Sequence, residues 1–480
     1  MPAASAVHSG VGFRSERGPV LAAVMLSTAL VAIDSTIIAT AVPSVVDDIG
    51  GFAQFPWLFS IYLLAQAVTV PVYGKLADLF GRKPVILWGI GVFLVGSLLC
   101  GFATSMTLLI VFRVVQGLGA GAIAPATITI VGDIYTLQER AKVQGYVASV
   151  WGISSVVGPT LGGVFSEYVS WRWIFFVNLP LCLLAGWMIM RSYHERRTPA
   201  RPVIDYPGAV LLTAGLTLVI LGVLEGGQSW AWDSPTSVAI LGGGALLLGA
   251  FLLVERRTSE PVLPLWVFRR RLLLASGTVS AGAGAVLLGL SSYVPTYAQV
   301  VIGVGPLVAG LALAALTLGW PIAASQSGRF YLRFGFRACA MTGSSIILLG
   351  CALLLLFDGG TSVWQVGATC LVIGFGMGLT VSPTLIASQS SVGWKERGVV
   401  TGNNMFLRSM GSALGTAIFG AVANATLQGS DADPARLVPA VHHVFIGVLI
   451  VAVVIAIAAF LLPRQAAPAA QEVPAVAETA

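Results

Sequence analysis

The chain has 480 residues, of which 56% are hydrophobic and only 10% are charged, and its mean hydropathy is +0.90. Soluble domains carry about 25% charged residues, so this composition excludes an ordinary soluble protein and indicates an integral membrane protein. The net charge of +6 does not indicate a nucleic-acid partner, because the basic residues occur in short runs between apolar segments. The five cysteines show no CxxC spacing, so we expect neither a disulfide framework nor a metal site.

Apolar windows long enough to cross a bilayer as helices recur along the whole chain. In chain order they cover residues 19–43, 54–74, 85–103, 106–128, 143–165, 172–191, 206–225, 236–254, 273–300, 305–326, 338–357, 364–388, 399–423 and 440–462. The first window is too long for a signal-peptide core and lacks a small-residue cleavage site, so we expect it to remain in the protein. The sequence therefore predicts an all-α polytopic membrane protein with 14 transmembrane helices.

The distribution of Lys and Arg predicts the orientation of these helices. If the amino terminus is cytoplasmic, that side of the membrane collects 22 of the 26 basic residues, whereas the outer loops hold only Arg172 and Arg436. Both termini are therefore predicted to be cytoplasmic. The abundance of Ala, Gly and Val favours a bacterial source, and hence the inner (cytoplasmic) membrane of a bacterium.

An internal repeat relates two basic loops that lie 254 residues apart. "GKLADLFGRK" at 74–83 aligns with "GRFYLRFGFR" at 328–337. The offset spans eight predicted helices, which indicates six helices, two inserted helices and six more helices. Parallel repeats of this kind are typical of transporters. The predicted divisions are a cytoplasmic segment 1–18, a six-helix bundle 19–191, the inserted pair with its linkers 192–272, a second six-helix bundle 273–463 and a disordered Ala/Pro-rich tail 464–480.

A carboxylate, Asp34, interrupts the first apolar window, and an arginine, Arg113, interrupts the fourth. A charge at the bilayer centre costs at least about 2.5–3.5 kcal/mol, which makes both residues candidates for function. At about 1.5 Å per residue, Asp34 lies about 13 Å and Arg113 about 10 Å from the outer ends of their helices, and Gln116 shares a helix face with Arg113. We hypothesise that Asp34 carries a proton and that Arg113 tunes it, directly or through Gln116. The alternative is a fixed ion pair that holds the two helices together.

Other polar and aromatic residues of the spans are candidates for a substrate cavity. Arg408 can pair with a substrate group or with helix carbonyls, and Asn403 and Asn404 can line a cavity or join helices. The same choice between cavity lining and packing applies to Tyr62, Tyr293 and Tyr297. Glu225 ends its helix and is expected to be a solvated end residue.

Two glycine-bearing segments have physical roles that the residues leave open. In "GISSVVGPTLGG", Pro159 removes a backbone donor and Gly152, Gly158, Gly162 and Gly163 remove side chains, which permits either a bend or a tight helix contact. In the loop at 74–83, Asp78 lies among basic residues, where it can pair with one of them or face a helix amino terminus. A simple positive-inside anchor is the alternative for this loop.

Four motifs together resemble the major facilitator superfamily. "GKLADLFGRKP" resembles the loop motif of that family, "RVVQGLGAG" the fourth-helix motif of its proton-coupled members, and "GISSVVGPTLGG" the fifth-helix signature of its antiporters. "AIDSTIIATAVPSV" resembles the first-helix motif of the fourteen-helix drug–proton antiporter branch. The resemblance implies a major-facilitator-type fold with a bending fifth helix near the substrate path. It also implies a cytoplasmic latch between the two halves that favours the outward-open state, formed by Gly74, Asp78, Gly81, Arg82 and Lys83. Leu332 stands where the second copy would carry Asp78, so the latch is predicted to be one-sided.

The expected function is secondary active efflux by alternating access, in which protons are exchanged for amphiphilic drugs or similar small molecules. The alternative on the same scaffold is a dedicated proton-coupled exporter of a lipid or an endogenous metabolite. No catalytic cluster accompanies His194, His442 or His443, so we expect no enzyme, and a proton gradient would replace any cofactor. A pore is a third possibility.

Some family members that export dications carry extra carboxylates in the tenth and thirteenth helices. Their absence here favours monocationic, neutral or lipid-like amphiphiles.

Overall fold

A computed structural model describes residues 11–50, 57–195, 205–227, 229–258, 261–427 and 434–464. Within these ranges the regular elements are helices, together with one isolated bridge between Gly226 and Trp230. The helices are α1 (Gly18–Ile49), α2 (Trp57–Phe80), α3 (Arg82–Gly101), α4 (Met106–Ile134), α5 (Leu137–Tyr168), α6 (Trp173–Phe176), α7 (Asn178–Ser192), α8 (Tyr206–Glu225), α9 (Pro235–Glu255), α10 (Arg271–Val300), α11 (Pro306–Phe334), α12 (Phe336–Leu354), α13 (Val363–Ser390), α14 (Arg397–Leu427) and α15 (Pro434–Leu461). Short 3-10 helices cover Leu265–Phe268 and Trp394–Glu396.

The all-α polytopic fold predicted from the sequence is confirmed. Thirteen helices in the described part of the chain are long and apolar enough to cross a membrane, with α6 and α7 forming the single span Trp173–Ser192. The remaining predicted span, 143–165, falls within α5, where the side chains of Ser155, Val156 and Pro159 lie outside the described part. The count of fourteen therefore stays a prediction. The predicted tail lies outside the described residues beyond Arg464, as do residues 1–10 of the amino-terminal segment.

Local signals in the sequence explain where several helices begin. Thr136 and Ser362 each form a capping box, with Glu139 and Gln365 respectively returning the hydrogen bond to the cap backbone. Such reciprocal bonds satisfy two of the backbone N–H groups that a helix start leaves without partners. Ser105, Ser234 and Asp205 cap α4, α9 and α8 with their side-chain oxygens.

The internal repeat has the same backbone conformation in both copies. Gly81 separates α2 from α3 with φ of +96°, and Gly335 separates α11 from α12 with φ of +86°. Residues with a side chain rarely adopt this region, which explains why glycine occupies both positions. The two halves, α1–α7 and α10–α15, therefore turn at equivalent loops.

The halves meet mainly near one end of the bundle, where α1 begins and α15 ends, which we call the terminal face. There α2 packs on α14 without intervening side chains, since a Cβ at Gly74 would lie 2.7 Å from the carbonyl oxygen of Gly398. On the opposite flank α5 meets α11, where a Cβ at Gly145 would lie 2.8 Å from Cβ of Ser325. Small residues thus allow the closest approach between the halves.

The inserted helix α8 covers the line where α2 meets α14. One apolar cluster contains Leu212 and Leu216 from α8, Val68 from α2 and Phe406 from α14. The inserted pair is therefore attached to both halves rather than to one of them.

The end of the bundle opposite the terminal face is called here the distal face. There Arg172 and Trp171 donate hydrogen bonds to Asp48 at 2.6 and 3.0 Å and lower the pKa of its carboxyl group.

We predict that Gly81→Ala lowers the free energy of unfolding by about 1–2 kcal/mol, because an L residue at this φ is strained. Its Cβ would also lie 2.5 Å from the Glu195 carboxylate, which would have to move. Thermal unfolding of the purified protein in detergent measures the loss. Gly91→Ala is the matched control, because a Cβ at Gly91 meets no atom within 4 Å and Ala favours a helix interior. Equal stability of the two variants would contradict the prediction.

Candidate functional site

Asp34 lies in the middle of α1 and is 1% exposed. Its Oδ2 atom accepts a hydrogen bond from Nη1 of Arg113 at 2.6 Å. Its Oδ1 atom accepts hydrogen bonds from Nε2 of Gln116 at 2.7 Å and from Nδ2 of Asn178 at 3.2 Å. The three predicted residues are therefore in direct contact, and both carboxylate oxygens of Asp34 accept hydrogen bonds from side chains of α4 and α7.

The guanidinium of Arg113 is held from three helices. Besides Asp34 on α1, it contacts Gln116 on its own helix, where Oε1 accepts from Nη1 at 2.7 Å. From α2, the carbonyl oxygen of Leu58 accepts from Nε at 3.2 Å, and the ring of Tyr62 lies 4.1 Å from the guanidinium carbon. Tyr62, predicted as a cavity residue, thus forms a cation–π contact within the charged site instead.

Two members of this site were not predicted from the sequence, namely Ser97 of α3 and Asn178 of α7. Ser97 Oγ accepts from Gln116 at 2.7 Å and from Asn178 at 3.3 Å. Asn178 begins α7 directly after the interruption at Val177, and Pro180 two residues later has no N–H to offer the preceding turn. An Asn two residues before a proline within an apolar span was the signal that could have identified it.

The resulting network, called here the Asp34 network, joins α1, α2, α3, α4 and α7 of the first half. Its polar members Asp34, Arg113, Gln116, Ser97 and Asn178 are all at most 1% exposed. Two buried polar atoms at the site, Oδ1 of Asn178 and the hydroxyl of Tyr62, have no hydrogen-bond partner in the described structure. The site can therefore accept one more hydrogen bond without displacing an existing one.

The predicted latch loop joins the two halves at the terminal face. Asp78, at the end of α2, accepts hydrogen bonds from the backbone N–H groups of Gly398 at 2.9 Å and Val399 at 2.7 Å. These are the first free N–H groups of α14, where the helix dipole also favours an anion. Asp78 is thus a cap that the first half provides to a helix of the second half.

Arg82 extends this contact from the start of α3. It pairs with Asp78 at 2.9 Å and with Asp133 of α4 at 2.9 Å, and it donates to the carbonyl oxygen of Trp394 at 2.6 Å. Arg397 of α14 completes the cluster, since its Nη1 lies 3.0 Å from Oδ1 of Asp133. Two acids and two arginines therefore alternate across the junction between the halves, and Asp133, Trp394 and Arg397 are members that the sequence did not reveal.

Lys83 is not part of the junction between the halves. Its Nζ donates to the carbonyl oxygen of Met190 at 2.7 Å, within the first half. Glu195 accepts from the backbone N–H groups of Arg82 at 2.8 Å and Lys83 at 3.1 Å, which caps α3. Leu332, which is the position of the second copy that corresponds to Asp78, is 47% exposed and carries no charge to cap a helix.

The second junction at the terminal face involves α5 rather than the repeated loop. Tyr331 of α11 donates its hydroxyl to the carbonyl oxygen of Leu137 at 2.8 Å. Arg140 is 3% exposed, and its Nη1 donates to Oγ of Ser390 in α13 at 3.4 Å. The terminal face is therefore closed on both flanks of the bundle.

The glycine motif of α5 contacts two different partners. A Cβ at Gly158 would collide with Thr36 of α1, which lies two residues beyond Asp34, whereas a Cβ at Gly152 would lie 4.0 Å from Leu318 of α11. Gly162 is buried, and a Cβ at Gly163 would meet no atom within 4 Å. The surroundings of Pro159 lie outside the described part, so the bend in this helix stays a prediction.

The six predicted cavity residues do not come together in one place. Tyr297 is 2% exposed and belongs to the apolar core of the second half, where its hydroxyl donates to the carbonyl oxygen of Asp358 at 2.6 Å, and Tyr293 packs against the same core. Asn404 binds Ser276 at 2.9 Å and Ser280 at 2.6 Å, which joins α14 to α10. Asn403, in the preceding position, is 3% exposed. These residues pack within the second half and do not share a cavity with Tyr62, because polar side chains in a membrane serve equally well to join helices.

Two related six-helix halves that meet through a charged junction, with a buried carboxylate network in one of them, define a multi-pass membrane transporter. The family model described as Major Facilitator Superfamily matches residues 24–416, and the chain belongs to this family.

Individual relatives agree with this assignment. The chain is 33% identical over 403 residues to "Multidrug resistance protein 3" of Bacillus subtilis (strain 168), which covers 84% of this chain and 79% of that protein. It is 32% identical over 414 residues to "Multidrug transporter protein MdtP" of the same organism, covering 86% and 76%. Among solved structures, the human organic anion transporter MFSD10 (TETRAN) matches with a TM-score of 0.66 at 16% identity, over 93% of this chain and 99% of that chain. This last likeness concerns the fold alone.

We predict that Asp78→Asn increases hydrogen exchange at the start of α14, because the backbone N–H groups of Gly398 and Val399 lose a charged acceptor. Exchange mass spectrometry of a peptide covering residues 394–402 measures the change. Asp358→Asn is the control, because the carboxylate of Asp358 accepts hydrogen bonds from Gly360 and Thr361 of its own loop at the distal face. Unchanged exchange in the Asp78→Asn protein would show that the carboxylate does not hold the helix start.

Proposed function

We propose that this protein is a secondary active exporter that exchanges protons for amphiphilic small molecules by alternating access. The names of its relatives, which are multidrug resistance and transporter proteins, support export of such compounds. The positive-inside distribution supports a cytoplasmic terminal face, and the membrane is the inner membrane of a bacterium. The proton gradient supplies the energy, and no cofactor takes part.

The observation that carries the proposal is the Asp34 network. Asp34 is a carboxylate deep within a span, and its charge is balanced by one arginine through a 2.6 Å bond. Protonation removes that charge and one strong hydrogen bond, so the balance of the site changes by a single chemical event. The free Oδ1 of Asn178 supplies an acceptor for the new O–H group after a small rotation.

The closed terminal face supports the assignment of this conformation to one state of the proposed transport cycle. With the termini cytoplasmic, the contacts of Asp78, Arg82 and Arg397 close the inner side, and the structure corresponds to an outward-facing state. Substrate loading from the cytoplasm then requires these contacts to open. Each proton that enters across 100 mV contributes about 2.3 kcal/mol to this cycle, in addition to the pH difference.

We predict that Asp34→Asn abolishes efflux driven by a pH gradient, because an amide cannot bind and release the proton. The assay is transport by purified protein in proteoliposomes with an imposed pH difference, with cationic and neutral amphiphiles as substrates. The rate should fall to that of protein-free liposomes, whereas counterflow without a gradient should persist.

Two controls make this assay specific. Asp48→Asn removes a carboxylate from the exposed distal face and should leave gradient-driven transport intact. Thermal unfolding of Asp34→Asn separates a folding defect from a coupling defect, since the variant leaves Arg113 without its buried partner. Normal gradient-driven transport by Asp34→Asn would leave a structural ion pair as the only role for this carboxylate. Substrate flux that ignores the pH gradient in the unmodified protein would refute antiport altogether.

A further inference from the structure

Arg408 lies at the middle of a membrane span. It is fourteen residues after Trp394 and fifteen before Ala423 in the span Trp394–Ala423. A guanidinium at this depth is costly unless it faces partners or water, so its presence requires an explanation.

Within the described residues, no hydrogen-bond or ion-pair partner reaches the side chain of Arg408. The other arginines inside the molecule have partners for their guanidinium groups: Arg82, Arg113 and Arg397 each have a carboxylate oxygen within 3.0 Å, and Arg140 donates to backbone carbonyl groups. Arg408 is also partly exposed, whereas Arg82, Arg113 and Arg140 are buried. It is therefore a mid-membrane cation without a hydrogen-bond or ion-pair partner among the described residues.

The contacts of α14 show which way this residue faces. On one side α10 packs against the backbone of Arg408 through Gly284, and against Gly411 through Ala281. At about 100° per residue, Arg408 is about 120° from Leu414, which is 41% exposed on the outer surface, and about 120° from Gly402, which packs on α2.

A further contact shows towards which helix the Arg408 side of α14 faces. Thr401, two turns before Arg408 on nearly the same stripe, binds Gln389 of α13 at 2.9 Å. The stripe that carries Arg408 thus lies between the α10 and α2 contacts and on the side of α13. It faces the inside of the bundle between the two halves, not the lipid.

We propose that Arg408 binds an acidic head group of the transported amphiphile, such as a carboxylate or a sulfonate. This inference rests on the proposed function and names its substrate class. The planar guanidinium offers paired donors to such a group, and the apolar surroundings strengthen the bond.

The distribution of acids supports an anionic rather than a cationic substrate. Among the described residues, Asp34 is the only carboxylate far from the ends of a span, and Arg113 already neutralises it. No acid therefore remains at that depth to bind a cation, whereas Arg408 remains to bind an anion. The monocationic substrates expected from the sequence become the less favoured class.

The test is equilibrium binding to the purified protein in detergent, with a fluorescent dansyl-labelled undecanoic acid and its methyl ester as matched probes. The unmodified protein should bind the acid about tenfold or more tightly than the ester, as expected for a desolvated charged hydrogen bond. Arg408→Gln should bind both probes equally. Arg408→Lys should keep a reduced preference for the acid, and Arg269→Gln, which removes an exposed basic residue, should keep the full preference.

Equal binding of the two probes by the unmodified protein would overturn the inference, as would an unchanged preference in Arg408→Gln. If Arg408→Gln does not fold, the Arg408→Lys protein decides, because an undiminished preference there would exclude paired recognition by the guanidinium. The binding assay needs no proton gradient. If the unmodified protein prefers the acid probe but its transport does not depend on the pH gradient, the antiport proposal is refuted and the acid site is retained.

Discussion

The ion pair between Asp34 and Arg113 is the constraint around which the first half is built. An isolated charge is costly at this depth, and the contact between the two side chains offsets part of the desolvation cost of both. The 2.6 Å contact fixes α1 against α4, and the remaining donors and acceptors bring in Leu58, Ser97 and Asn178. Among the described residues of the second half no equivalent buried ion pair occurs, and the core there is formed by apolar side chains and Tyr297.

The Asp34 network contains a buried polar atom that has no partner among the described residues. A pair that serves only stability gains most when every polar atom around it is satisfied, since a partner left over in the dry interior costs free energy. Here Asn178 keeps a buried carbonyl oxygen without a donor, next to the carboxylate of Asp34. Under the proposed function, a protonated Asp34 would donate to this oxygen.

The sequence was sufficient where the signal is local or periodic. Apolar windows located the helices, the loop at 74–83 and its copy located the repeat through Gly81 and Gly335, and helix rise placed Asp34 and Arg113 at one depth. It was insufficient where partners come from distant segments through backbone atoms: Asp78 and Gly398 are 320 residues apart, and a backbone N–H group has no signature in the sequence. Tyr297 and Asn404 were assigned to a cavity because a polar residue in an apolar span can equally join helices, and only packing decides which it does.

The two charged sites are mechanically connected because the same two helices carry both of them. α4 contributes Arg113 to the Asp34 network and Asp133 to the terminal junction, about 30 Å further along at the usual helix rise. α2 contributes Leu58 at one end and Asp78 at the other.

Glycines allow α2 and α4 to pack with their backbones close together. A Cβ at Gly117 of α4 would lie 2.6 Å from the carbonyl oxygen of Tyr62 in α2, and Gly121 allows a similar approach to Thr69. Because the backbones are packed this closely, α2 and α4 form a continuous packed path from Asp34 to the junction at Asp133 and Asp78. The "RVVQGLGAG" segment thus supplies both the arginine that pairs with Asp34 and the close contact between α4 and α2, the two helices that reach the junction between the halves.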